Sequence, residues 1–233
     1  IEYNGLRWHS EEFNKDKNYH LVKLNKCNEP GINLIQIFED EYLEHKEIVL
    51  SKIKHLLKKD CDLSKIFARK CIVKEIDKNI SKDFLEKNHI QGYVPGSVIL
   101  GAFYESVLVG AVIFKKEATE GYYELTRMAT KNNYLCHGVC GKLFKYFVDN
   151  YKPVHIKSFA DRRWTINKES NLYTYLGFKL EKTLQPDYRY VVNNQRQHKF
   201  GFRKQILHKK YGLPLSMTEK EMCDTLGFYR IWD

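Results

Sequence analysis

Apolar and polar positions change period several times along the chain, and each change marks an element. Asn33-Leu34-Ile35-Gln36-Ile37-Phe38 is a nearly continuous apolar run, the pattern of a strand covered on both faces. It follows a charged helical pattern over Asn14–Asn28, which Pro30-Gly31 stops. Ile48, Ile53, Leu56 and Leu57 recur at helical spacing within Leu43–Leu57, with Lys46, Lys52 and Lys54 facing away. With a short extended piece at Ile1–Asn4, the first sixty or so residues read strand, helix, strand, helix, and a break falls at Lys58–Ser64.

From Ile66 strands dominate. Phe67–Ile76 predicts a strand, and Ser81, with Asn79 as its competitor, predicts the cap of a helix ending near Asn88. Ser97–Tyr104 and Leu108–Lys115 form a hairpin by their spacing around Glu105-Ser106-Val107. A third strand over Tyr122–Ala129, a helix over Gly138–Asn150, a strand over His155–Phe159, a helix over Lys168–Leu176 and strands at Phe178–Lys182 and Tyr188–Val192 complete a mixed α/β sheet flanked by helices. The tail predicts a basic helix over Phe202–Lys210 and another capped by Ser216 or Thr218 and ending at Gly227. No internal repeat is present. The expected organisation is an α/β (α+β) chain with divisions at 1–62, 63–192 and a basic extension at 193–233.

Composition narrows the partners. A hydrophobic fraction of 43% with 16 Tyr, 13 Phe and 3 Trp excludes a disordered chain. Apolar runs such as Val107–Phe114 fall far short of the roughly 18–20 residues that cross a bilayer, so no membrane span is expected. A net charge of +10 over 233 residues favours an acidic partner, with DNA the leading candidate and an anionic cofactor the second. Of the cysteines Cys27, Cys61, Cys71, Cys136, Cys140 and Cys223, no pair has the two-residue gap of a zinc knuckle, so reduced thiols in a cytoplasmic setting are expected. The chain opens at Ile1 in strand-like residues and stops at Arg230-Ile231-Trp232-Asp233, also strand-like, so both ends are expected to be cuts through a longer protein.

Two constellations carry chemistry. Glu2 lies on the first strand, Asn4-Gly5-Leu6-Arg7-Trp8-His9 follows, His20 lies on a basic helix, and Glu39 closes the next strand. Phosphodiester hydrolysis uses Mg²⁺ on carboxylates and a group that activates water, and an acid with a His supplies both types. The pattern N-G-x-x-W-H, a Lys-rich helix, then G-I-x-L-I-x-I-F-E resembles the second half of the very-short-patch-repair endonuclease fold and the related EDxHD phage homing endonucleases, over residues 1 to about 58. The resemblance implies a Mg²⁺ site with Glu2 as a ligand, and His9 beside the scissile phosphate. It puts His20 near an active-site polar position and gives Glu39 a structural role. The metal-binding acid of the preceding strand has no counterpart in the sequence.

The second constellation ends in Asn171-Leu172-Tyr173-Thr174-Tyr175-Leu176-Gly177-Phe178, which resembles the N-x-x-x-x-L-G-F ending of the GNAT acetyltransferase superfamily over residues 66–192. The resemblance implies Tyr173 as the acid that protonates a departing thiolate, and acetyl-coenzyme A held at a helix N-terminus by Gly138, Cys140, Gly141 and Lys142, with Asn171 nearby. Leu135 stands where the superfamily has Arg or Gln. Ser158-Phe159-Ala160-Asp161-Arg162-Arg163-Trp164 ends a central strand, where open α/β sheets place ligands. Its carboxylate, two guanidinium groups and indole suit a nucleotide or an ion pair bracing a loop. Glu124, Arg127, His89 and Gln91 flank the same expected cleft.

Together the two halves resemble phage proteins of the homing-endonuclease group that join a nuclease-like to a GNAT-like part. Three functions follow as expectations. The first is a Mg²⁺-dependent DNA endonuclease. The second is a GNAT-type acyltransferase acting on a DNA base or another nucleophile, with Tyr173 as acid and Asp161 in the pocket. The third is a non-catalytic DNA-binding protein using Arg162, Arg163, Trp164, Lys199 and Arg203.

Overall fold

A computed structural model describes residues 1–59, 62–165 and 169–233. Cys61 and Lys168, the expected start of a helix, lie outside the described residues. The chain divides into two compact units, one made of Ile1–Glu44 with Leu180–Asp233 and the other of His45–Lys179. These divisions fall away from the expected 62/63 and 192/193. The fold class is mixed α/β, as the alternation of elements implies.

The first unit opens with β1 (Glu2–Asn4), α1 (Leu6–His9), α2 (Tyr19–Asn28), β2 (Gln36–Phe38) and α3 (Glu39–Glu44). β1 and β2 pair in parallel with Glu2 opposite Gln36. All three residues of β2 are buried, which is why that run is apolar without alternation.

The second unit holds α4 (Lys46–Leu56), β3 (Ser64–Phe67), β4 (Cys71–Glu75), α5 (Lys78–Asn88), β5 (Val98–Tyr104), β6 (Val107–Lys116), β7 (Tyr122–Thr130), β8 (Tyr134–His137), α6 (Val139–Tyr151), β9 (His155–Ser158) and α7 (Leu172–Tyr175). Its main sheet runs β4-β5-β6-β7-β9. Neighbours are antiparallel except for the last pair, where Tyr122–Leu125 of β7 runs parallel to His155–Ser158 of β9. From Thr126 onward the β9-facing edge of β7 has no strand partner among the described residues, so the sheet is open there. α6 covers the core with Val139, Leu143 and Phe147, and the Phe147 ring stacks on Phe114 at 3.5 Å. Of the expected strand over Phe67–Ile76, Cys71–Glu75 is β4 in the main sheet, whereas Phe67 ends β3, which pairs in parallel with β8, and Ala68–Lys70 form a 3₁₀ turn. The cap of α5 is Asp77 rather than Ser81 or Asn79: its side chain accepts the Asn79 N–H at 2.7 Å, and Ser81 is buried within the helix.

The first unit closes with β10 (Tyr188–Val192), β11 (Gln195–His198), a 3₁₀ turn at Lys199–Phe202, α8 (Lys204–Tyr211), α9 (Glu219–Thr225) and β12 (Tyr229–Trp232). β10 does not complete the preceding sheet. It is the centre of a separate antiparallel sheet in the order β11-β10-β12. The reason is local: Asn193 and Asn194 both take positive φ, 51° and 58°, making the two-residue turn that folds β11 back on β10. Phe178–Lys182 is not a strand. Phe178 packs on the second unit's core, and the chain is exposed from Lys179 to Gln185. Tyr190, Phe202, Leu207, Met222 and Cys223 form the core under this sheet. Leu6, Phe38 and Ile231 join the unit's two chain segments, as does the bridge from Ser10 to Ile231.

Candidate functional site

Within the first unit, four elements bring polar side chains together. Glu2 from β1 accepts from Lys23 on α2, and from Gln36 on β2 at 3.2 Å. One helical turn before Lys23 on the same face, the His20 ring stacks on His9 from α1, with centroids 5.0 Å apart and planes at 25°. Asn4 Nδ2 reaches His20 Nδ1 at 3.5 Å, and Phe38 meets the His20 ring edge-on at 5.3 Å. The cluster therefore unites Glu2, His9 and His20. It adds Lys23 and Gln36, which sequence reasoning missed. The signals for these two were the three-residue spacing from His20 and the register of two short strands.

The electrostatics follow from this geometry. Burial pushes the Glu2 carboxyl up, but hydrogen bonds from Lys23 and Gln36 and the charges of Lys23 and His20 outweigh it and hold the group below its ordinary value. Lys23 is raised, first by its hydrogen bond to Glu2. His9 is lowered, chiefly by burial, with Glu2 opposing and Lys23 adding. It is accordingly a neutral imidazole near pH 7. Its buried Nδ1 and the buried Asn4 Oδ1 have no hydrogen-bond partner among the described residues, a pattern that buried polar atoms usually avoid outside functional sites. Glu39 stands outside this cluster. Its Oε2 accepts the Leu6 N–H at 2.9 Å and so tethers the start of α1, a structural task.

A Mg²⁺ ion does not fit these residues. No group of three His, Cys, Asp or Glu side chains that could hold a metal exists among the described residues, and the Glu2 carboxylate is already engaged by Lys23 and Gln36.

The second unit assembles the other constellation. Gly138 caps α6 at φ 73°, a left-handed conformation that a residue without Cβ adopts freely. Gly138 is exposed, Val139 after it is buried, and the first turn of α6 carries no acidic residue and no side-chain cap. A Cβ placed on Gly141 would lie 3.2 Å from the Tyr175 ring, so α7 is seated beside this turn. Asn171 starts α7 as a capping box with Thr174. Tyr173, two residues on, directs its hydroxyl at the Phe159 carbonyl at 3.4 Å, and burial holds the phenol above its ordinary value, hence protonated. Cys140 is pushed up to about 12 and Cys136 to about 11, both by burial, so neither is a thiolate nucleophile. Lys142 does not point into this turn: its ammonium donates to the Ala68 and Cys71 carbonyls.

At the open edge of β7, Asp161 grips the buried Arg163 through Nη2 at 2.7 Å, the ion-pair alternative of the expected set. Arg163 is thus withdrawn from the surface. The Trp164 indole N–H is buried without a partner among the described residues, and the Lys52 ammonium lies 5.1 Å from its ring. Arg162 is half-buried. Arg127 donates from Nε to the Gly92 carbonyl at 2.9 Å, and His89, driven by burial and by Arg127 and Lys52, falls to about 3. Of the other expected nucleic-acid contacts, Lys199 is ion-paired with Asp187 and Arg203 is exposed. Among the described residues no helix is long and apolar enough to cross a membrane.

Compared with known proteins, the chain matches no family model, and no curated protein matches it. Among solved structures it is similar to a GNAT-family acetyltransferase from Streptococcus pneumoniae TIGR4, at 16% identity and a TM-score of 0.37, over 47% of this chain and 86% of that one.

Proposed function

We propose that the first unit acts on nucleic-acid phosphodiesters through Glu2, His9, His20 and Lys23. The observation that supports this reading is their convergence from β1, α1 and α2 into one partly buried polar cluster containing an unpartnered imidazole nitrogen. A neutral His9 can take the proton of a water whose oxygen bonds to phosphorus as the bond from phosphorus to one sugar oxygen breaks. That oxygen leaves as an alcohol protonated from solvent, while the Lys23 ammonium, held by Glu2, offsets charge growing on the phosphoryl oxygens. Gln36 and Asn4 orient Glu2 and His20. The test is nicking of supercoiled DNA by the purified chain, with Mg²⁺ and with a chelator. Nicking that His9→Ala reduces by about a hundredfold or more is expected for loss of a proton-transfer group, and Glu2→Gln, which releases Lys23 from its position, should reduce it as well. Intact plasmid under both conditions, or unchanged nicking by His9→Ala, overturns the reading.

A second reading, acyl transfer by a GNAT-type site, is favoured by the seating of Tyr175, on the same short helix as Tyr173, beside Gly141 in the first turn of α6. The residues suit a phosphate-bearing cofactor of the acetyl-coenzyme A kind, because a helix start attracts anions and the first turn of α6 carries no carboxylate to oppose them. Such a cofactor would supply an activated acyl thioester. Gly138, Val139, Cys140 and Gly141 would hold its phosphates by backbone N–H groups, and the protonated Tyr173 would donate to a leaving sulfur. Calorimetry with acetyl-coenzyme A should give binding that Gly138→Val weakens. No heat at high protein concentration rejects it.

A further inference from the structure

We infer that the segment from the 3₁₀ turn at Lys199–Phe202 through α8 is a landing site for single-stranded DNA. From His198 to Tyr211 the chain carries Lys199, Arg203, Lys204, Lys209 and Lys210 and no acidic residue. Arg203, Lys209 and Lys210 are exposed, and Lys204 is half-buried. Only Phe202 and Leu207 of this stretch turn into the core, so the rest of α8 presents its outer face to solvent. Phe200 remains outside at 57% exposure and Ile206 at 43%, while Tyr211, one turn after the buried Leu207 and on its side of the helix, rests on Phe228 and keeps 38% exposure.

Cations and rings are interleaved. The Arg203 guanidinium lies 4.7 Å from the Phe200 ring centre and the Lys210 ammonium 4.9 Å from that of Tyr211. A positive groove that tracks phosphates, with open aromatic faces for bases, is the chemistry by which single strands are held without sequence preference. The choice between single strand and duplex rests on those rings. In a duplex the base faces are stacked on one another and cannot reach Phe200 or Tyr211, whereas unpaired bases can. The eight residues of α8 span about 12 Å, a distance that a few nucleotides of extended strand cover. Salt-bridge competition is small: among the described residues Lys199 of this segment pairs with Asp187, and the Lys204 charge acts on Glu221.

This inference does not rest on the phosphodiester reading, because it concerns binding alone and stands if the first unit cleaves nothing. The test is fluorescence anisotropy of the full chain with a labelled oligo-dT of about 15 nucleotides, the same length of duplex, and vesicles containing phosphatidylserine. Binding of the single strand is expected to be at least about tenfold tighter than that of the duplex. With Arg203, Lys204, Lys209 and Lys210 each meeting a phosphate, log affinity should fall against log salt with a slope of about −2.8. Phe200→Ala should weaken single-strand binding about tenfold, and Phe200→Trp should restore it, with circular dichroism unchanged in both. Phe200 is the probe because its ring contact is with His198, at 4.5 Å and away from the core, whereas Tyr211 touches Phe228, which packs on the core, at 6.0 Å. Preference for duplex, preference for vesicles, no binding, or equal affinity for Phe200→Ala and wild type each overturns the inference.

Discussion

Arg196 tests how the first unit is held together. Its side chain is 3% exposed, and its guanidinium meets three acids. Nε donates to Asp40 at 3.0 Å, Nη2 reaches Glu41 at 2.8 Å and Nη1 reaches Asp233 at 3.2 Å, while its carbon lies 3.9 Å over the Phe38 ring. One side chain of β11 thereby ties α3 and the end of the chain to the strand that carries Phe38, the ring packed on His20. Arg196→Met keeps the aliphatic volume but strands Asp40 and Glu41, whose side chains are 10% and 7% exposed. Removing one partner of a buried ion pair costs about 3–5 kcal/mol. The lower end applies, because Asp40 keeps the backbone N–H groups of Arg196 at 3.0 Å and Glu41 at 2.9 Å. A loss of about 3 kcal/mol is a large share of the 5–15 kcal/mol typical of folded domains. Urea unfolding followed by tryptophan fluorescence in a Trp164→Phe background measures it, since Trp8 and Trp232 then report on the first unit alone. The triple change Arg196→Met, Asp40→Asn, Glu41→Gln removes the stranded charges and should return to within about 1 kcal/mol of wild type. A loss under about 1 kcal/mol for Arg196→Met alone refutes the reasoning.

Further outcomes follow from other sites. His89 titrates near 3 when folded and near 6.5 when unfolded, so below about pH 6.5 the unfolded chain gains a proton that the folded chain refuses. Stability should therefore fall by about 1.4 kcal/mol per pH unit between pH 6 and 4, and His89→Leu should remove that slope from urea midpoints measured across the range. Gly138→Ala meets no crowding, its nearest neighbour being the Ala68 Cβ at 3.4 Å, but it forces a side chain into the left-handed region, and thermal unfolding should show a cost of about 1–2 kcal/mol.

The sequence by itself determined the elements whose apolar period is long and unbroken. The hairpin around Glu105, the strand from Tyr122 and the helix after Gly138 stand where the pattern puts them, because burial of one face is written locally in residue spacing. Of the two caps expected for α9, Ser216 and Thr218, Thr218 takes the position, its side chain accepting the Glu221 N–H. Glu2, His9 and His20 could be named from residue types, yet their convergence could not, because it depends on β1 meeting β2 in one register and on α2 facing that pair. Lys23, Gln36 and Arg196 had no signal strong enough to read alone. Each acquires its role from a partner 21, 34 or 156 residues distant, as in Lys23 to Glu2, Gln36 to Glu2 and Arg196 to Asp40. Tertiary structure also decided which sheet β10 joins: its apolar pattern suits either, and the Asn193-Asn194 turn with the return of β12 selects the separate sheet. Spacing encodes which face of an element is buried, whereas the partner that buries it is chosen by chain closure over long separations, and that choice leaves no local period to read.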